Sequence, residues 1–600
     1  GIVLLICAEI LARGLLNSPI AGLTETVSLS VTSIMFLQLP AVVLQGKLFR
    51  VELFTGPLDR HRPDHALFDI AYAGVLLALL AVALPWTWGE AENAWRSGDF
   101  TGATGAFELP TWPFRFTNFF GCAVTAGVAG CLILRNIECM LRSAWPEGSG
   151  ARATVFLVML AGFALTIWAL PYNPLLIGIC FVAWLFVFLL LGFPISTILL
   201  GLSVAGIWLI RDNFRVTEVT LGLALTKSIS SFEFAVVPLF VAMGLVLEKA
   251  RMGEDAFAAA ASLMRGVRGG LGVATVLANA VFASVVGSSI ASAAVFSRVA
   301  VGPMMSAGYP RRKAVGTVAG SSVLGMLIPP SLLLIVYGLI AEQSIGKLFV
   351  AAVLPGLVLA AAFSLVSILI APRKAVAAEA VERLSPGRIA LCLAPMLLLV
   401  LIVLGGIYTG WFTPTEAAGV GLFVSVIIAV ARRSLDLRGL IETMFQAGLI
   451  SAAMLILMAA AGCYTRLLAF AQIPMQLNTW LGSAGLEFTL LMVVFVLIVL
   501  ALGAVLDSVS IILIIAPIML PLLRQFGADP IWFGILLVIS VEVGLLTPPF
   551  GMSAYTVKEV LSDQGVTLSD IFIGALPFVF AMLCVIALLI SLPVLATALI

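Results

Sequence analysis

The feature that most restricts this chain is a succession of apolar runs of membrane-spanning length, separated by short polar segments. A spanning helix needs about 20 predominantly apolar residues. Runs that qualify are 1–16, 26–44, 67–88, 115–140, 153–170, 175–191, 196–210, 233–248, 311–340, 347–371, 388–409, 414–431, 442–463, 531–557 and 568–597, which predicts about 15 crossings. Two further stretches, 270–303 and 488–523, are too long for one helix. Each is interrupted near its middle, the first at Gly287-Ser288-Ser289 and the second between Gly503 and Ser508. Composition closes off the soluble alternative. Only 10% of the residues are charged and 62% are hydrophobic, whereas a soluble surface calls for about a quarter charged residues. The expected fold class is therefore an all-α polytopic membrane protein. A net charge of +1 leaves no basic field for nucleic acid. The two histidines, His61 and His65, share one short loop and give no basis for a histidine metal centre. The eight cysteines contain no C-x-x-C pair and read as small core hydrophobes. The chain opens inside an apolar run without an initiator Met, so a targeting signal is not legible.

Loop charge sets the expected orientation. Lys47, Arg50, Arg60 and Arg62 lie in one loop, Arg142 and Arg152 in another, and Arg311-Arg312-Lys313 in a third. Arg373, Lys374, Arg383 and Arg388 form a further cluster, as do Arg432, Arg433 and Arg438. The segment 89–114 is instead acidic, with Glu90, Glu92, Asp99 and Glu108. Placing the basic loops in the cytoplasm requires a cytoplasmic N-terminus and a periplasmic C-terminus. It also requires both long stretches to be re-entrant hairpins, since a full crossing at either would reverse every later loop. Trp86, Trp88 and Trp95 suit an outer aromatic belt, and Arg298 is placed to snorkel toward the inner interface.

The chain repeats itself. Pro303 to Pro310 matches Pro521 to Pro530, Gly325-Met326-Leu327-Ile328-Pro329-Pro330 matches Gly544-Leu545-Leu546-Thr547-Pro548-Pro549, and Leu348 to Pro355 matches Ile571 to Pro577. The order is kept and the offset drifts little, which points to an internal duplication. With the expected topology the copies are inverted: 175–371 holds the hairpin 270–303, and 388–597 holds the hairpin 488–523. Inverted repeats with interrupted helices are the architecture of secondary transporters. Residues 1–140 share none of this and form a separate four-helix module, joined through 141–174, a linker and one helix.

Backbone at membrane depth must be hydrogen-bonded internally or line a cavity, so the four breaks are where chemistry is expected. At the first tip, Gly287 permits a tight reversal. Ser288, Ser289 and Ser292 offer hydroxyls beside a half-helix N-terminus, where carbonyls can hold a small cation and the helix end an anion. Ser288 and Ser289 are equally placed to cap that half-helix. At the second tip Asp507, beside Ser508, is either a cation ligand or an N-cap. The Pro329-Pro330-Ser331 and Thr547-Pro548-Pro549-Phe550-Gly551 breaks free carbonyls one turn back. The candidate cation-binding residues are Gly287, Ser288, Ser289, Gly325, Ile328, Pro329, Gly503, Asp507, Thr547 and Pro548. Those for substrate are Ser289, Ser292, Pro330, Ser331, Ser508, Pro549 and Gly551. Hydroxyls, carbonyls and one carboxylate favour sodium over a transition metal. Thr413-Pro414-Thr415-Glu416 carries the capping-box pattern of a helix start.

At these residues the chain resembles a known family. Gly287-Ser288-Ser289, Ala307-Gly308-Tyr309, Leu327 to Ser331, Ser344 to Phe349, Phe412 to Ala417, Leu506-Asp507-Ser508 and Gly544 to Pro549 resemble the large membrane subunit of tripartite ATP-independent periplasmic (TRAP) transporters. The resemblance covers about 175–597. Residues 1–140, with Arg13, Asn17-Ser18-Pro19, Glu25 and Gln45-Gly46-Lys47, resemble the small subunit. Val286 stands where a serine or other small residue commonly precedes Gly-Ser-Ser, and Leu23 replaces the usual Trp before Thr-Glu. The resemblance implies sodium-driven uptake of an organic anion across a bacterial inner membrane. It also implies delivery by a periplasmic substrate-binding protein and an elevator mechanism, with no organic cofactor. A related transporter working without a binding protein is the alternative. An intramembrane aspartyl protease would need a second buried carboxylate, and none is evident in the spans. The H-E-x-x-H motif of a zinc protease is absent, and a passive channel would not need cation sites in both repeats.

Overall fold

The computed structural model describes residues 1–50, 63–102, 107–142, 149–169, 173–227, 229–372, 383–484, 487–549 and 551–600. Arg60, His61, Arg62, Arg373, Lys374 and Phe550 lie outside the described residues. Apart from a two-stranded ribbon the described chain is helical. It opens with α1 (Ile2–Leu16), α2 (Leu23–Leu44) and α3 (Pro63–Ser97), then the ribbon β1 (Phe100–Thr101) and β2 (Leu109–Pro110), then α4 (Trp112–Arg142) and α5 (Ser149–Ala169). The first large section holds α6 (Pro174–Leu190), α7 (Ile195–Arg211), α8 (Phe214–Lys227), α9 (Val236–Lys249), α10 (Met252–Leu263), α11 (Gly270–Val286), α12 (Ser289–Ser306), α13 (Arg311–Ser322), α14 (Leu332–Ala341) and α15 (Ile345–Ile370). The second holds α16 (Pro386–Val400), α17 (Gly406–Tyr408), α18 (Pro414–Ala431), α19 (Leu437–Phe470), α20 (Ile473–Ala484), α21 (Phe488–Gly503), α22 (Ser508–Gln525), α23 (Pro530–Gly544), α24 (Met552–Val560), α25 (Leu568–Ser591) and α26 (Val594–Thr597).

Helix starts are written in the sequence. Side chains of Asn173, Ser344, Ser385, Thr413, Asp436, Asp529 and Thr567 each accept a first-turn N–H, satisfying donors that a helix leaves open. Among the described residues nine helices are long and apolar enough to cross a membrane, and shorter apolar helices accompany them. The protein is thus multi-pass.

The duplication is visible in element order. A short helix, two helices joined at a tip, a broken helix and a long final helix appear as α10–α15 and again as α20–α25. Sequence pattern alone does not bring out α8, α10 and α20, because these short helices lack a spanning apolar run. The expected single run 442–463 is longer than expected, since α19 has 34 residues.

The N-terminal section 1–140 holds α1 to α4. Helix α4 packs on both α2 and α3, while α1 packs chiefly on α18. Arg13 explains the seating of α1. Its guanidinium reaches both oxygens of Glu416, at 2.9 and 3.1 Å, and the Trp411 carbonyl at 3.3 Å. Glu416 also accepts the Thr413 N–H at 2.9 Å, so the capping box forms and its acidic member doubles as an anchor for α1. Trp86 packs against the first repeat. Its indole packs over Gly222, where an added methyl would fall 2.3 Å away, rather than joining the more exposed Trp88 and Trp95 in a belt.

Polar contacts far apart in sequence tie the sections together. Lys47 Nζ donates to Gln446 at 2.8 Å, and Ile195 N–H to the Phe49 carbonyl at 2.9 Å. Arg312 meets Asp570 at 2.7 Å, Arg432 meets Asp255, and Arg466 donates to the Thr220 carbonyl at 3.2 Å.

Candidate functional site

The candidate site lies where four apolar segments give up helical hydrogen bonding. Helix α11 ends on Gly287, whose φ of 66° is the left-handed conformation that glycine adopts freely. Ser288 then caps α12, its hydroxyl oxygen accepting the Ala291 N–H at 3.3 Å. This tip sits directly on the break of its own repeat. A methyl added to Gly287 would come 3.2 Å from the Pro330 carbonyl oxygen, and one added to Gly325 would come 3.4 Å from the Ser288 carbonyl group. Beyond α13 the chain makes a 3₁₀ turn over Val323–Met326. Ile328 N–H still donates to the Leu324 carbonyl at 2.9 Å. Pro329 and Pro330 are buried, and Ser331 donates to the Met326 carbonyl while accepting the Leu334 N–H at 3.3 Å.

The second repeat builds a related but looser arrangement. Asp507 caps α22, accepting the Ser510 N–H at 3.1 Å and the Ser510 hydroxyl. Gly503 lies backbone-on-backbone against α23, since an added methyl would be 2.7 Å from the Gly544 Cα. Thr547 is half-buried and donates to the Gly544 carbonyl at 2.8 Å. Pro548 and Pro549 are exposed, unlike their buried counterparts. Gly551, at a φ of 44°, starts α24 where an added methyl would collide with Phe572 at 2.5 Å. Both Pro-Pro peptide bonds are cis.

The predicted residues therefore fall into two clusters, one per repeat. Gly287, Ser288, Gly325 and Pro330 meet in the first, and Gly503 meets the end of α23 in the second. The Ser331 and Thr547 hydroxyls, expected as ligands, are engaged in local bonds to backbone. Each cluster puts backbone carbonyls and hydroxyls inside apolar protein, a donor set suited to a hard cation.

What reaches across the clusters is a residue that the sequence reading passes over. Glu542, in the last turns of α23, is 1% exposed. It overturns the expectation that the spans hold no second buried carboxylate. Ser508 donates to its Oε1 at 3.2 Å, and Ser289 from the first repeat lies beside the same carboxylate without a hydrogen bond of ordinary geometry. The signal was available: a single ionisable residue inside an apolar run is a functional candidate by default.

One cavity adjoins the first tip, and a larger one borders that cavity. The smaller, about 110 Å³, is lined in part by Gly287, Ser288, Ala291, Pro330 and Leu332. The larger, about 1040 Å³, shares Leu245 and Glu248 with it. Its lining sets Lys249, Arg251, Arg298, Arg432 and Arg433 against Glu248, Glu254 and Glu442, a net positive surface. Arg298 lines this cavity, a fuller role than snorkelling alone. The net charge favours anions through the field it focuses.

Residues 182–595 match the family described as "Tripartite ATP-independent periplasmic transporter, DctM component", and residues 2–139 match the DctQ component of the same transporters. The C4-dicarboxylate TRAP transporter large permease protein of Pseudomonas aeruginosa is 33% identical over 385 residues, covering 63% of this chain and 89% of that protein. The sialic acid TRAP transporter large permease protein of Vibrio cholerae is 30% identical, covering 67% of this chain and 93% of that one. The isethionate TRAP transporter permease protein of Oleidesulfovibrio alaskensis is 27% identical over 560 residues, or 92% of this chain and 85% of its own length.

Proposed function

Because the chain belongs to the tripartite ATP-independent periplasmic transporter family, with matches to both membrane components on one polypeptide, we propose that it imports an organic anion in symport with sodium across a bacterial inner membrane. Proteins of this family are transporter permeases, and the chain is a permease rather than an enzyme. A separate periplasmic substrate-binding protein delivers the substrate, a carboxylate or sulfonate of the kind that the relatives' names specify. The small component occupies residues 1–140 and the linker 141–174. The two repeats of the large component occupy 175–371 and 388–597. Sodium is held at the two tip-and-break clusters, and the substrate between them near Ser292 and Gly551.

One observation carries this reading. Each hairpin tip is seated on the interrupted helix of its own repeat, Gly287 on Pro330 and Gly503 on Gly544. Two matched oxygen-rich loci inside apolar protein are what a coupled transporter of the inverted-repeat kind requires.

The long-range polar contacts support the re-entrant topology. Lys47 with Gln446, and Arg312 with Asp570, join segments that the loop-charge topology assigns to the cytoplasm. Each pair needs an even number of crossings between its members, which the expected topology supplies for Lys47 and Gln446 only if the first hairpin turns back, and for Arg312 and Asp570 only if the second does. On that orientation the 1040 Å³ cavity opens to the cytoplasm and leads toward the first tip. An elevator motion of the two hairpins and their broken helices against a scaffold of α2–α4 and α19 then completes the cycle.

Uptake into reconstituted vesicles tests the reading. Accumulation is expected only with a sodium gradient and the cognate binding protein. Uptake without added binding protein supports the alternative transporter, and uptake indifferent to sodium overturns the coupling.

A further inference from the structure

The unassigned group in this molecule is Glu542. Its side chain is buried inside α23, and among the described residues it forms no ion pair. Ser508 donates to Oε1 at 3.2 Å, while Oε2 is fully enclosed with no hydrogen-bond partner. A hydroxyl beside it is equally unfinished. The Ser289 hydroxyl beside the carboxylate has no hydrogen-bond partner of ordinary geometry, and Ser289 is 0% exposed.

An unpaired carboxylate in an apolar interior is costly, so such groups are paired, neutralised or bound to a cation. Among the described residues no basic side chain supplies the pairing. The atoms offered are all oxygen, which suits a hard cation, and a single negative charge matches a monovalent one. Oxygens about 2.4 Å from such an ion stand roughly 3.4 Å from each other in an octahedral shell. The 3.2 Å between Ser508 and Glu542 is close to that spacing.

Resting on the sodium-symport reading above, we infer that Glu542, with the Ser508 and Ser289 hydroxyls, forms an additional sodium site shared by the two repeats. It is separate from the tip-and-break cluster within each repeat. Ser289 opens α12 of the first hairpin and Ser508 opens α22 of the second. The site is therefore complete only while both half-helices are seated against α23. Sodium here links the positions of the two hairpins, so that an empty site loosens their mutual fit.

The test is equilibrium binding of radioactive sodium to the purified full-length protein, with Glu542→Gln, Ser508→Ala and Asp507→Ala measured beside the wild type. Glu542→Gln is expected to lose one sodium equivalent per chain. Ser508→Ala is expected to keep the count but weaken the apparent affinity several-fold, which guards against a Glu542→Gln protein that does not fold. Asp507→Ala should leave the Glu542 equivalent in place. Wild-type sodium count and affinity in both Glu542→Gln and Ser508→Ala would overturn the site. So would an unchanged sodium count accompanied by loss of the pH dependence of binding, which would make Glu542 a proton carrier instead. No sodium binding in the wild type would overturn the underlying symport reading, an outcome distinct from either.

Discussion

Replacing Gly316 with alanine tests a close backbone-to-backbone crossing between the two repeats. Helix α13 of the first repeat meets α25 of the second at Gly316 and Gly574. A methyl on Gly316 would fall 2.1 Å from the Gly574 carbonyl carbon, 2.3 Å from its oxygen and 2.4 Å from its Cα. The reverse substitution is no better, since a methyl on Gly574 would sit 1.9 Å from the Arg312 carbonyl oxygen. All of these partners are backbone and cannot rotate away, so the helices must separate by about 1 Å or more to reach ordinary contact distances of roughly 3.5–4.0 Å. Small residues at membrane helix crossings allow such approach and the dispersion energy that comes with it. Overpacking costs about 1–3 kcal/mol and sometimes more, while alanine in a helix interior returns roughly 1 kcal/mol relative to glycine. The expected net destabilisation is about 0–2 kcal/mol, with the overlap placing it toward the upper end. Gly127→Ala in α4, where a methyl meets nothing within 4 Å, is the matched control and should be neutral or slightly stabilising. The measurement is thermal unfolding of each purified variant in the same detergent. If Gly316→Ala melts at or above the temperature of Gly127→Ala, the close crossing of α13 and α25 is wrong.

The anchor of the N-terminal module gives another expectation. In a double-mutant cycle of Arg13→Ala and Glu416→Gln, thermal stability should show a coupling of about 1–2 kcal/mol, at the lower end for an ion pair because Arg13 is 42% exposed. Purely additive losses would show that the two act independently. At the second tip, Asp507→Asn should keep the cap and the fold, whereas Asp507→Ala should lose about 1 kcal/mol of stability. Both should lower apparent sodium affinity in uptake, and unchanged sodium dependence in the Asn variant would reduce Asp507 to a cap.

The sequence alone determined which segments are apolar enough to leave water, where they break and that the pattern occurs twice. These are local properties: twenty apolar residues, a Gly-Ser-Ser, a Pro-Pro or a Thr-Pro-Thr-Glu constrain the backbone wherever they occur. The capping box at Thr413, the caps at Ser288 and Asp507, and the interruptions of α13–α14 and α23–α24 all follow from such signals. Only the tertiary structure decided which breaks touch. It set Ser508 and Ser289 around Glu542, turned Trp86 inward onto Gly222, laid α1 on α18 through Arg13, and left Pro548 and Pro549 exposed while burying Pro329 and Pro330. Those outcomes depend on how closely distant helices approach, and a glycine or a lone carboxylate reveals its purpose only through the atoms opposite it.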